Sequence, residues 1–194
     1  MLEVALVPGA GAALGTLTDA LARRAFPRIL GDLGRMGAAG GALELVREVV
    51  PEREPDASVY LTTAAAIEAF DDADADPLGL LVCFHARLMA LAGFAPRLDA
   101  CGVCGKRPGR AQASLFDPRE GQLVCRACGG ATHRLAADAR ERLARALSPD
   151  WIAAAQPPWP RRSVGPAYRA MHAFAEHRLG RALPDNPLLA AATA

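Results

Sequence analysis

Lysine is nearly absent from this sequence: Lys106 stands alone against twenty-one arginines. Aromatic side chains make up only 5% of the 194 residues. No stretch of eighteen apolar residues occurs, so no membrane-crossing helix is expected. The opening residues, MLEVALVPGAGAALG, lack the basic segment of a secretory signal, and a cytoplasmic protein is expected. Several catalytic signatures are also missing. There is no HExxH, and no HxE ahead of a PCxxC, which excludes the common zinc protease and zinc deaminase patterns. Gly9, Gly11 and Gly15 miss the GxGxxG spacing because Leu14 stands where the third glycine belongs. The four histidines are scattered, and His172 and His177 are five apart rather than the four that share a helix face. No clustered base or nucleophile is left to suggest an enzyme.

What is present reads as globular. The chain is 52% hydrophobic and 22% charged, and its length suits one domain or one with a small appendage. Ala, Leu and Arg dominate, which favours helix. The formal net charge of +1 hides an asymmetry. Residues 1–100 carry eight Arg against fourteen acids, a net of −6. Residues 101–170 carry twelve Lys plus Arg against five acids, a net of +7. A basic segment of this kind fits a polyanion, although a merely dipolar surface would look the same.

Along the chain, LEVALV (2–7) alternates as a strand does, and PGAGAALG follows as a turn. TLTDALARRAF (16–26) reads as a short helix. A longer helix opens at Pro27 and runs through LELVREVV, with Gly37, Gly40 and Gly41 marking a break or a close packing in its middle. SVYLTTAAAIEAF is the next helix, and DDADAD an acidic link. Asp76 as cap and Pro77 at the first position open PLGLLVCFHARLMALAG, apolar on most sides and expected at the centre of a bundle. Cys83 lies in it as a small core residue, and His85 as a packed or partly exposed one, not a catalytic one. FAPRLDA reads as a linker, LAADARERLARAL (135–147) as an amphipathic helix, and VGPAYRAMHAFAEHRLGRAL as a last helix started or broken at Pro166. The tail PDNPLLAAATA carries no clear signal.

Four of the five cysteines fall in CGVCGKRPGRAQASLFDPREGQLVCRACGG. Cys101, Cys104, Cys125 and Cys128 form two CxxC pairs, and each pair makes a tight turn that aims two sulfurs at one centre. Four thiolates suit tetrahedral zinc. SLF, DPREG and QLV between the pairs read as a hairpin, giving a zinc-ribbon-like finger. A redox CxxC would need a βαβ context that the pattern lacks. His133 could replace a sulfur, but four cysteines already fill the site. With no open position for water, the expected Zn2+ is structural. Lys106, Arg107, Arg110, Arg119, Arg126 and Arg134 lie in or beside the finger. They are candidates for contact with a nucleic-acid backbone, weakening with salt. Phe116 could offer a stacking face or fill the core of the finger.

The order of these parts resembles the RecO family of bacterial recombination mediators. LLVCFHARLMALAGFAPRLDACGVCG is similar to the family's most characteristic segment, and FDPREGQLVCRACGG to the second half of its zinc module. GGALELVREVVPEREPDASVYLTTAAAIEAF and HRLGRALPDNPLL resemble its helical stretch and closing helix, so the likeness runs over residues 5–190. It implies a mainly α fold: a helical bundle with an inserted four-cysteine zinc-ribbon-like β finger and a short N-terminal β remnant of an OB fold. Residues 1–25 would be that remnant, and 26–194 the helical domain with its zinc finger at 99–134. LEVALVPGAGAALGTLTDA answers to the last strands of the family's barrel, the rest of which has no counterpart here. LPDNPLL stands in place of the family's basic tail element. The resemblance further implies a non-enzymatic role in DNA repair and homologous recombination in the cytoplasm, at the nucleoid. Expected partners are single-stranded DNA, double-stranded DNA, RecR and the single-strand-binding protein SSB. The expected outcome is RecA loading on SSB-coated strands and strand annealing. The alternative is an adaptor that binds RecR or SSB without DNA affinity of its own.

Overall fold

The helix that opens at Pro77 organises the protein. In the computed structural model, which describes residues 2–10, 15–51, 55–72 and 74–184, this helix (α4, Pro77–Leu91) has Leu80, Leu81, Val82, Cys83, Phe84, Leu88 and Met89 almost wholly buried. A helix apolar all round must be covered all round. It is covered by α2 (Leu33–Val49), α3 (Ala57–Phe70), α5 (Ala137–Ala146) and α6 (Arg161–Leu179). A short 3-10 segment at Trp151–Ala155 closes one side, with Trp151 set edge-on to Phe84 at 5.8 Å between centroids. Among the described residues there are six helices and two small sheets, so the protein is mainly α.

The long helix expected from Pro27 is two helices. α1 (Pro27–Gly31) ends at Asp32, whose extended backbone and carboxylate cap α2 by accepting the Arg35 N–H at 2.8 Å. The glycines do not break α2. Gly37 is buried beside Ala38, Ala39 and Ala42, a small-residue face that lies against α4. Asp71, at the end of α3, accepts the backbone N–H groups of Arg28 and Ile29 at 2.9 and 3.1 Å and so pins α1 to α3. Asp76 stands at the N-cap of α4, but its carboxylate does not cap that helix. It accepts the Trp159 N–H at 2.9 Å instead, tying the start of α4 to the chain ahead of α6.

Three further expectations are overturned. TLTDALARRAF is not a helix: β2 (Thr16–Ala22) pairs antiparallel with β1 (Leu2–Val7), and Thr18 donates its hydroxyl to the Ala5 carbonyl at 3.1 Å. Pairing across the turn outweighs a weak helical preference, because alternating T-L-T-D-A-L-A serves a hairpin equally well. FAPRLDA is not wholly a linker: Arg97–Cys101 is strand β3. The last helix neither starts nor breaks at Pro166. It begins at Arg161, where the Ser163 and Val164 N–H groups reach the Pro160 carbonyl and the Ser163 hydroxyl reaches Asp138 at 2.8 Å. The residues from 185 onward, which include most of the expected tail, lie outside the described residues, as do 11–14 in the first turn.

Candidate metal centre and nucleic-acid interface

Between α4 and α5 the chain folds a four-stranded sheet in the order β3, β5, β4, β6. β4 (Ser114–Asp117) and β5 (Gln122–Leu123) are the two arms of the expected hairpin, and β6 (His133–Leu135) flanks β4. Gly121 closes the turn with φ +64, and a Cβ there would overlap the Phe174 ring of α6. Phe116 is fully buried and meets Phe174 edge-on at 5.9 Å. It fills the floor of the finger and offers no stacking face.

The two CxxC turns sit together at the other end of the hairpin. The Gly105 N–H reaches the Cys101 carbonyl at 2.9 Å, and the Cys128 and Gly130 N–H groups reach the Cys125 carbonyl at 2.9 and 3.1 Å. Gly102 lets the first turn lie on Gln122, whose side chain a Cβ would strike. The four sulfurs of Cys101, Cys104, Cys125 and Cys128 lie within 4.8 Å of one another. The Cys125 N–H donates to the Cys101 sulfur at 3.3 Å. That amide, with those of Cys104 and Val103, draws the Cys101 thiol down to about 6. Hydrogen bonds shared with Cys125 and Cys104, together with desolvation, push the Cys128 thiol up to about 12. Convergent thiols with backbone N–H groups aimed at sulfur form a donor set able to hold a metal ion.

The fifth cysteine takes no part. Cys83 is buried in α4, and burial pushes its thiol up to about 12. His133 is not in the cluster either. Its Nδ1 faces the Thr132 hydroxyl at 3.0 Å, and burial, followed by the Arg169 and His177 charges, lowers its proton affinity. His85 is a core residue, 3% exposed, packed by Tyr168 and His172 with centroids at 5.6 and 6.5 Å.

All six cations expected at the finger are exposed, and among the described residues none of their side chains has a hydrogen-bond or ion-pair partner. Lys106, Arg107, Arg126 and Arg134 line one cavity of about 530 Å³, in whose wall Cys101 and Cys125 also stand. Arg110 lies outside that lining, on the same loop. Arg119 sits in the turn of the hairpin, at the end away from the cysteines. Three arginines of α5, also in the basic segment, are committed to the fold. Arg140, on α5, is buried and donates to the Gly109 and Arg110 carbonyls at 3.3 and 3.5 Å, clamping the loop after the first cysteine pair. Arg142 lies over the Trp159 ring at 5.3 Å, and Arg145 reaches the Ala153 carbonyl at 3.4 Å. The clamp leaves no mark in the sequence, since its partners are thirty or so residues apart and the acceptors are backbone carbonyls.

The fold and site define a class: a helical bundle with a β finger inserted between two of its helices, the finger carrying four cysteines that could hold a metal ion. The family described as "Recombination protein O C terminal" matches residues 30–187. The protein named DNA repair protein RecO of Anaeromyxobacter sp. (strain K) is 36% identical over 169 residues, 86% of this chain and 66% of that protein. The proteins of the same name from Symbiobacterium thermophilum and Myxococcus xanthus are 33% identical over 144 residues and 31% over 161. They are covered over 57% and 63% of their length, and this chain over 72% and 82%. The chain belongs to the RecO family, and it spans 57–66% of the length of these relatives.

Proposed function

We propose that this chain is the helical, finger-bearing part of a DNA-repair mediator that acts in homologous recombination. Family membership carries the reading, and the unpaired cations about the cysteine cluster support it. Residues 26–194 form the binding domain, and 1–25 correspond to the end of an OB fold. Cys101, Cys104, Cys125 and Cys128 hold one Zn2+ that fixes the shape of the finger and leaves no open coordination position. Single-stranded DNA, and double-stranded DNA by its backbone, bind over Lys106, Arg107, Arg110, Arg126 and Arg134, with Arg119 at the margin. RecR and SSB are its protein partners, and its role is to bring RecA onto SSB-coated strands and to anneal complementary ones, without bond-making chemistry of its own.

The test is a titration of the zinc-loaded chain into a fluorescent single-stranded oligonucleotide at low and moderate salt, read by anisotropy. Binding that weakens steeply with salt is expected. Arg107→Glu with Arg126→Glu should lower affinity and flatten the log–log salt slope by about one unit for each phosphate that is no longer neutralised. Absence of binding even at low salt would leave the chain as an adaptor for RecR or SSB.

A further inference from the structure

The cavity lined by Cys101 and Cys125 combines cations, an apolar wall and a buried hydroxyl. Its volume of about 530 Å³ is ample for one nucleotide. Lys106 and Arg107 come from the loop after the first cysteine pair, Arg126 from the second pair, and Arg134 from β6, so the cations converge from three segments. None of them is neutralised by a neighbouring carboxylate among the described residues. The remaining wall is largely apolar, with Leu115 on β4 and Val124 after β5. Ser114, at the start of β4, also lines it. The residue is 7% exposed, and its hydroxyl is buried with no hydrogen-bond partner among the described residues. A buried hydroxyl left unpaired carries a free-energy cost, which a ligand able to pair with it removes. The wall is also held in place before any ligand arrives. Arg140 clamps the Gly109 and Arg110 carbonyls, and Gln112 bonds back to Gly109 through both its backbone N–H and its side-chain oxygen.

Taken with the DNA-binding reading on which it rests, the geometry points to a pocket that takes one unstacked nucleotide of a single strand. The phosphate lies among Lys106, Arg107, Arg126 and Arg134. The base lies against Leu115 and Val124, with its polar edge hydrogen-bonded to Ser114. Duplex DNA, whose bases are stacked and paired, reaches the cations only.

The experiment compares a thymidine oligomer with an abasic oligomer of equal length, at one low salt concentration, by anisotropy on the zinc-loaded chain. Wild type should bind the thymidine strand about threefold tighter or more, the scale of one net hydrogen bond with its apolar contact. Ser114→Ala should remove most of that preference and leave abasic binding unchanged, with a melting temperature equal to or above that of wild type, since the hydroxyl is buried without a partner among the described residues. Ala127→Leu, at an exposed position on the cavity wall, should remove the preference by filling the space. Equal binding of the two strands by wild type would overturn the pocket while leaving backbone binding intact. A preference that survives both substitutions would also overturn it, placing the base contact elsewhere. Failure of either strand to bind would instead sink the DNA-binding reading, and the pocket with it.

Discussion

His85 shows how much a single side chain can be made to bear. Its imidazole is enclosed by α4 and α6, its Nδ1 has no partner among the described residues, and burial, with a smaller contribution from the His172 charge, lowers its proton affinity from 6.5 to about 3. The unfolded chain therefore binds a proton that the folded chain refuses between those two values. Stability from this group is complete above pH 6.5 and falls by roughly 1.4 kcal/mol per pH unit as acid is added towards pH 3. Substitution His85→Met should flatten that part of the profile, measured as the urea midpoint against pH. A wild-type profile already flat between about pH 6 and 4 would show that the imidazole finds water or a partner.

At the scale of elements, the finger depends on a single glycine in its turn. Gly121 takes φ +64 with the Phe174 ring directly behind it, so Gly121→Ala combines backbone strain with a clash. A decrease of about 1–3 kcal/mol is expected in chemical denaturation, with the capacity of the four cysteines to take up a metal ion unchanged because they sit at the other end of the hairpin. The sequence makes some of these elements plain and hides others for a definite reason. The cysteine pairs, the hairpin between them and the Asp-Pro start of α4 are local signals, each written within a few neighbouring residues. Strands β2 and β3 are hidden because a strand is confirmed by a partner elsewhere in the chain, and T-L-T-D-A-L-A suits a helix as readily until β1 is placed beside it. Asp76 is legible as a cap position but not as the acceptor of the Trp159 N–H, 83 residues away. The four cations that share a cavity are visible as a cluster, whereas the cavity, built from separated segments, is not.

For the whole molecule, the finger and the bundle share one core. Leu98, Phe116, Leu123 and Leu135 of the finger's sheet belong to the same buried cluster as α4 and α6. Stripping the metal with a strong chelator should therefore shift a single melting transition downward, by roughly 5 °C or more, instead of adding a separate early one. Two resolved transitions in calorimetry would show that the finger melts by itself. The joint between Phe116 and Phe174 has a further effect in a cell. If the cysteines hold an ion as proposed, the part that it fixes is also a wall of the hydrophobic interior, and the metal-free form would be hard to store safely. With the ion held as proposed, scarcity of metal should loosen the chain and expose it to quality-control proteases, so its abundance should follow metal supply and not only its rate of synthesis, which a cellular half-life measured with and without a chelator would check.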